Sequence, residues 1–136
     1  MAILQCIADN NTKSAYAPGV GSIERARLQQ FLNYAAAELH KAWGPLFSDT
    51  STDVERDAAV AKVKTKFDYL ETVLSDGRDF LVSNQFSIAD AYTFVLVNWA
   101  NFKAIDLNGW PNLADYFARI ASRPATKSAL VAEGLA

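Results

Sequence analysis

Apolar residues recur every three or four positions along most of the chain, and this spacing predicts amphipathic helices. A first long helix is expected to begin at Ser22, whose side chain can cap it, and to end at Gly44-Pro45. Thr52 and Glu55 form a capping box ahead of a second long helix. That helix is expected to end at Ser75-Asp76-Gly77, where turn-forming residues replace the apolar repeat.

The same spacing predicts shorter helices at both ends of the chain. Residues 1–9 are mostly apolar and read as a helix, whereas residues 10–21 have the composition of a linker with turns. Towards the C-terminus, Pro111 and Pro124 each suit the first position of a helix. No segment has the pattern of a strand, so the sequence predicts an all-α protein with one helical domain over residues 22–136.

The most informative segment is a helix start that leads into an almost wholly apolar helix. Ser87 can accept a hydrogen bond from the backbone N–H three residues on, and Asp90 can reach back to the Ser87 N–H. Only two polar residues interrupt the run Ala91–Ala100, so we expect a buried helix that caps itself and extends to about Ile105. The three-residue spacing explains a serine near an aspartate without a hydrolase mechanism.

Composition limits the function classes that fit this chain. With 136 residues, 51% of them apolar, it suits one packed domain and is too apolar to be disordered. A net charge of −2 gives no general attraction for nucleic acid, and no apolar run approaches the roughly 18 residues of a membrane span. One histidine and one cysteine far apart do not support a metal site. Because no secretion signal or disulfide pair is visible, we expect a soluble, cytoplasmic protein.

Three polar residues of the first long helix are candidates for ligand binding. Asn33 and His40 are seven residues apart, which leaves them about 20° apart around an α-helix, and Lys41 is one step further round. An amide, an imidazole and an ammonium group on adjoining stripes suit a small ligand that carries a carboxylate. The alternative is that His40 and Lys41 simply face solvent near a helix C-terminus. His40 is the candidate catalytic residue, but without a nucleophile or second base its expected role is positioning.

Cys6 and several aromatic residues are the remaining candidates for chemistry. Cys6 lies within an apolar helical pattern, so we expect a small buried hydrophobe and not a nucleophile. Trp99, Phe102, Trp43 and Tyr34 are able to form the wall of a pocket for an apolar electrophile, although aromatic residues at helical spacing more often belong to a core.

Several short motifs carry a family resemblance across nearly the whole chain. In order, besides the Ser87–Asp90 box, they are Leu32-Asn33-Tyr34, Glu38-Leu39-His40-Lys41, Pro45-Leu46-Phe47, Trp99-Ala100, Arg123-Pro124 and Glu133-Gly134-Leu135. In this order and spacing the chain resembles the C-terminal helical domain of bacterial beta-class glutathione transferases. The resemblance implies about five main helices around a buried, self-capped helix. It also implies that residues 1–9 are a remnant of the last helix of a thioredoxin-like domain, with residues 10–21 as the old linker.

The resemblance also implies a glutathione site. In the beta class the residues that match Asn33, His40 and Lys41 line the glutathione cleft, and the histidine helps to orient or activate the sulfur. Its partner there is a cysteine of the thioredoxin-like domain, which has no counterpart in this chain. Trp99 matches a family tryptophan. We therefore expect one wall of a cleft, with glutathione as a weakly bound co-substrate, no covalent cofactor, and catalysis only if a thioredoxin-like domain is supplied in trans.

Two readings of the whole chain remain. In the first, it is a glutathione-transferase helical domain, expressed alone or shortened by a downstream start codon. In the second, it is a non-catalytic interaction module, because related helical domains serve as docking units and a bared apolar face invites binding or self-association. A symmetric homodimer through the first two long helices fits either reading. A third idea, sequestration of an apolar ligand, has no distinguishing residue.

Overall fold

The computed structural model describes residues 1–11 and 16–135, and these residues form helices joined by turns, with no strand among them. The elements are α1 (Ala2–Asn10), α2 (Ile23–Tyr34), a π-helical segment (Ala35–His40), α3 (Lys41–Phe47), α4 (Asp53–Leu74), α5 (Ile88–Phe102), a 3₁₀ turn (Leu107–Gly109), α6 (Pro111–Ala121) and α7 (Pro124–Ala132). The predicted all-α fold is confirmed. The predicted linker falls partly outside the described residues. In the part that is described, no helix combines the length and apolarity that crossing a membrane requires.

Helix α5 lies at the centre of the domain. It packs against α2, the π segment and α6, and one end of α1 also reaches it. The core at this centre contains side chains from every long helix, α5 included, and many are fully buried. The largest of these are Trp43, Tyr116, Phe67, Leu28, Leu32, Leu39, Leu70, Leu81, Leu96, Leu113 and Ile120. One continuous core therefore holds the helices together around α5.

The predicted capping box at the start of α5 is present, and Asp90 is its centre. Asp90 Oδ2 accepts hydrogen bonds from the backbone N–H and the hydroxyl of Ser87, at 2.8 and 2.7 Å. Oδ1 accepts from the backbone N–H of Leu81 at 2.9 Å and from the Tyr116 hydroxyl at 3.0 Å. Asp90 is fully buried, so its four donors replace the water that the carboxylate loses.

The other predicted helix starts also form as expected. Ser22 Oγ accepts from the Arg25 backbone N–H at 3.0 Å, and Thr52 and Glu55 make a complete capping box. Pro111 and Pro124 occupy the first positions of α6 and α7. Short-range side-chain chemistry therefore sets where each of these helices begins.

The first long helix was expected to end at Gly44-Pro45, but it continues beyond these residues. It runs from α2 through the π segment into α3 and ends at Phe47. Pro45 lies in the final turn, where a missing N–H removes only one hydrogen bond. Leu46 beyond it is buried, and Phe47 packs on Trp99, so packing carries the helix past the proline.

Two further expectations are corrected. Helix α5 ends at Phe102 and not near Ile105, because Ala104 adopts a left-handed conformation at φ +52° that an α-helix does not accommodate. Cys6 is exposed and not buried, as are its neighbours Ile3 and Ile7. In α1 only Ala8 is buried, because this short helix touches the domain along one narrow edge.

Candidate functional site

His40 is the last residue of the π segment, and its imidazole faces α5. Its Nδ1 lies 2.6 Å from the hydroxyl oxygen of Tyr92. The ring also stands edge-on to Trp99, with 5.0 Å between ring centroids and 80° between ring planes. The structure therefore brings together His40 and Trp99, two of the residues that the sequence analysis selected, and adds Tyr92 between the two helices.

Trp99 is the centre of a wider aromatic cluster. Its ring centroid lies 4.9 Å from that of Phe47 and 6.0 Å from that of Trp43. The Lys103 ammonium group sits 4.1 Å above the centre of the Phe47 ring, within the range of a cation–π contact. We call His40, Tyr92, Trp99 and Phe47 the His40 cluster, and it joins the end of α3 to the middle of α5.

Sequence reasoning missed Tyr92 and Phe47 as members of this cluster. A signal for Tyr92 was present, because Tyr92 and Trp99 are seven residues apart and so share one stripe of α5. Burial raises the pKa of the Tyr92 hydroxyl above its ordinary value, so that the phenol keeps its proton at neutral pH. Phe47 had no such signal, since the helix that carries it was expected to stop before it.

An apolar groove of about 520 Å³ runs between α5 and α7 on the other side of Trp99. The side chains that form its floor and walls include Phe86, Phe94, Val95, Trp99, Phe102 and Leu130. Val95 is 47% exposed and Phe102 53% exposed, although both belong to the central helix. This α5–α7 groove is thus a bare apolar surface that shares Trp99 with the His40 cluster, and such a surface suits the apolar part of a ligand.

The four aromatic candidates divide into two groups. Trp99 and Phe102 line the α5–α7 groove, as a pocket wall would. Trp43 is fully buried in the core, so it is not available to a ligand. Tyr34 donates its hydroxyl to the Lys66 carbonyl oxygen at 2.8 Å and thus joins α2 to α4.

Asn33 and Lys41 are exposed, and Lys41 does not share the His40 cluster. Lys41 lines a separate groove against α4, with Glu38, Lys62 and Lys66. Glu38 and Lys66 form an ion pair there at 2.6 Å. The π segment lies between Asn33 and His40, and its turns take more residues than those of an α-helix. The angle of about 20° that holds for an α-helix therefore does not apply across it.

The sequence matches a known family. Residues 34–124, more than half of the chain, match the family described as glutathione S-transferase, C-terminal domain. The chain belongs to the glutathione S-transferase family. Glutathione S-transferase GstA of Escherichia coli O157:H7 is 35% identical over 135 residues, which are 99% of this chain and 67% of that protein. The resemblance drawn from the motifs is thereby confirmed.

Solved structures of glutathione S-transferases agree in fold over the same extent. The beta-class enzyme of Sphingomonas chungbukensis is 41% identical with a TM-score of 0.94. A sphingomonad glutathione S-transferase in complex with glutathione is 43% identical with a TM-score of 0.93. Each alignment covers 99% of this chain and 67% of the relative. The chain thus corresponds to the C-terminal helical domain of the bacterial beta class and spans about two thirds of the length of these relatives.

Proposed function

We propose that this chain forms the helical wall of a glutathione-transferase site. The observation that carries the proposal is the edge-on contact of His40 with Trp99 at 5.0 Å, because Trp99 also lines the apolar α5–α7 groove. The His40 imidazole is suited to hold the sulfur of glutathione. The groove is suited to the apolar part of an electrophile.

Asn33 and Lys41 complete the proposed glutathione contacts. Both side chains are exposed on the continuous helix formed by α2, the π segment and α3, with Lys41 next to His40 in sequence and at the groove against α4. An amide and an ammonium group suit the carboxylates of a tripeptide. A glutathione complex of a relative that is 43% identical supports this ligand. Conjugation also needs activation of the thiol, and we assign that step to a thioredoxin-like half, supplied in the same chain or in trans. That half would take the thiol proton; in the conjugation that follows, the thiolate sulfur forms a bond to the electrophilic carbon as the leaving group departs with its electron pair.

The test is a titration of the ¹⁵N-labelled chain with reduced glutathione, followed through its backbone amides. We expect shifts concentrated between residues 33 and 41 at millimolar ligand. Asn33→Ala, His40→Ala and Lys41→Ala should each weaken binding, by about tenfold where a hydrogen bond to a carboxylate is lost. Gln30→Ala and Lys64→Ala are matched controls, because both residues are exposed and lie outside the proposed contacts. Equal weakening by the controls, or no shifts at all, would overturn the proposal.

A second candidate function is protein docking through the α5–α7 groove, and the exposure of Val95 and Phe102 favours it. The partner we propose is a thioredoxin-like domain, whose apolar face would cover the groove. Val95→Glu should abolish association with the thioredoxin-like half of a beta-class relative in analytical ultracentrifugation. Val54→Glu is the control, since Val54 is 78% exposed on α4, away from the groove. Association that survives Val95→Glu, or self-association instead, would contradict this function.

A further inference from the structure

A short hydrogen bond joins His40 Nδ1 to the Tyr92 hydroxyl, and its direction is linked to the nitrogen on which the imidazole carries its proton. The Tyr92 hydroxyl oxygen lies 2.6 Å from His40 Nδ1, which is short for a hydrogen bond between neutral groups. Over residues 1–11 and 16–135, neither side chain has another hydrogen-bond partner. Within the part of the chain that the structure describes, the two groups thus have each other and solvent as partners.

Relative acidity favours the phenol as the donor in this pair. A phenol is a stronger acid than a neutral imidazole N–H, and an imidazole nitrogen is a stronger base than a phenolic oxygen. Burial raises the pKa of the Tyr92 hydroxyl, so Tyr92 stays protonated and has a hydrogen to donate. In a neutral imidazole one ring nitrogen carries the hydrogen and the other has a free lone pair. If Nδ1 accepts the hydrogen bond from Tyr92, the ring hydrogen must therefore be on Nε2.

Two contacts then fix the orientation of the ring. Tyr92 holds Nδ1 from the side of α5, and the Trp99 ring stands edge-on at 80° to the imidazole plane. Both residues belong to α5, which is pinned by its buried cap and by the core. His40 itself remains exposed, and within residues 1–11 and 16–135 its Nε2 has no hydrogen-bond partner that would compete with a ligand.

We infer that Tyr92 is a positioning residue that holds His40 in the tautomer with its proton on Nε2, and thereby makes the exposed nitrogen a hydrogen-bond donor. This inference rests on the proposed function for its ligand. A donor at that position binds an acceptor such as a thiolate sulfur or a carboxylate. It does not remove the thiol proton, because the nitrogen that would accept that proton already carries one. The proposed role of His40 is thus to stabilise the anion after another group has taken the proton.

The experiment is a long-range ¹H–¹⁵N correlation spectrum of the imidazole, recorded at about pH 8. The chain has a single histidine, so the signals need no assignment. We expect a protonated Nε2 and an unprotonated Nδ1 shifted by an accepted hydrogen bond. Tyr92→Phe should remove that shift and change the ratio of the two tautomers about three- to tenfold in favour of the Nδ1–H form. Tyr69→Phe is the matched control, since Tyr69 lies on α4 against Tyr34.

The outcomes separate this inference from the proposed function. A wild-type imidazole with its proton on Nδ1, or a Tyr92→Phe variant with unchanged imidazole signals, would overturn the role of Tyr92. The backbone amide spectrum of the variant shows whether the fold is kept. Glutathione added to the same samples tests the function independently. If glutathione shifts the His40 signals but Tyr92→Phe leaves the tautomer ratio unchanged, the proposed function stands and the inference is wrong. If Tyr92→Phe changes the tautomer ratio but glutathione causes no shifts, the effect of Tyr92 on His40 is confirmed and the glutathione site is ruled out.

Discussion

The Tyr116 hydroxyl donates to the Asp90 carboxylate at 3.0 Å and joins α6 to the cap of α5. Both side chains are buried, with exposed fractions of 1% and 0%. Burial raises the pKa of Asp90, and its four hydrogen-bond donors oppose that shift. Burial and the nearby Asp90 together raise the pKa of Tyr116. One carboxylate thus organises the connector before α5, the first turn of α5 and the middle of α6.

Replacing Asp90 by alanine should lower the free energy of unfolding by about 3–5 kcal/mol and slow refolding. The variant leaves four buried donors without an acceptor, among them the backbone N–H groups of Leu81 and Ser87. Tyr116→Phe removes one of these donors and should cost only about 1 kcal/mol. Urea unfolding measures both, with Asp115→Ala on the exposed side of α6 as the control. An Asp90→Ala variant with the wild-type midpoint would mean that these donors find other partners.

Arg25→Ala should free α1 from the rest of the domain. Arg25 is only 6% exposed, and its guanidinium contacts both carboxylate oxygens of Asp9, at 2.7 and 2.8 Å. It also donates to the Pro18 carbonyl oxygen at 3.1 Å. We expect hydrogen exchange of the α1 amides to accelerate about tenfold or more, while exchange in α4 stays unchanged. Arg27→Ala on the same helix is the control, because Arg27 is exposed. Equal exchange in both variants would show that apolar contacts alone hold α1.

The same ion pair predicts a pH dependence. The hydrogen bond from Arg25 lowers the pKa of Asp9 below its usual 3.8, although slight desolvation opposes it. A carboxyl group whose folded pKa is lowered stabilises the fold above its ordinary pKa and loses that effect as pH falls through the folded value. Protection of α1 should thus be constant from neutral pH to about 4 and decrease below that. In Asp9→Asn the protection should be weaker at neutral pH and change less with acid. Parallel pH profiles would contradict the assignment.

The features that the sequence predicted correctly depend on residues close together in the chain. Ser87 and Asp90 are three residues apart, as are Thr52 and Glu55, and a proline at the first position of a helix acts within a single residue. The contacts that could not be predicted join distant residues. Tyr116 reaches Asp90 over 26 residues and Tyr92 reaches His40 over 52, so no local spacing signals them.

In the candidate site, too, the residues could be selected from the sequence, but the contacts between them could not be predicted. His40 was selected from its spacing to Asn33 and from the family resemblance, but it lies in a π-helical segment, where its ring contacts Trp99 of α5. Helical arithmetic at a constant angle per residue cannot anticipate such a segment. Cys6 was expected to be buried from its apolar neighbours, yet the pattern alone does not say whether a helix meets the core along a wide face or a narrow edge.

Glu71→Ala should destabilise the start of α6 by about 1–2 kcal/mol. Trp110 at the N-cap position provides no side-chain acceptor, and Glu71 of α4 accepts from the backbone N–H groups of Asn112 and Leu113 at 3.2 and 2.9 Å. Glu71→Gln keeps one acceptor and should lose less. Urea unfolding compares them with Lys64→Ala, an exposed change on the same helix. A loss no larger than that of Lys64→Ala would mean that water caps α6 equally well.

Ala104→Gly should stabilise the domain, by about 0.5–1 kcal/mol. Ala104 follows α5 at φ +52°, and the Ile105 N–H donates back to the Ala100 carbonyl oxygen at 3.0 Å, as in a Schellman motif. That position ordinarily holds glycine, because a Cβ is strained there, and the absence of glycine explains why the sequence suggested a longer helix. Ala118→Gly in the exposed middle of α6 is the control and should destabilise by about 1 kcal/mol. If urea unfolding found both substitutions destabilising, the left-handed conformation of Ala104 would carry no strain, and Ile105 packing alone would end α5.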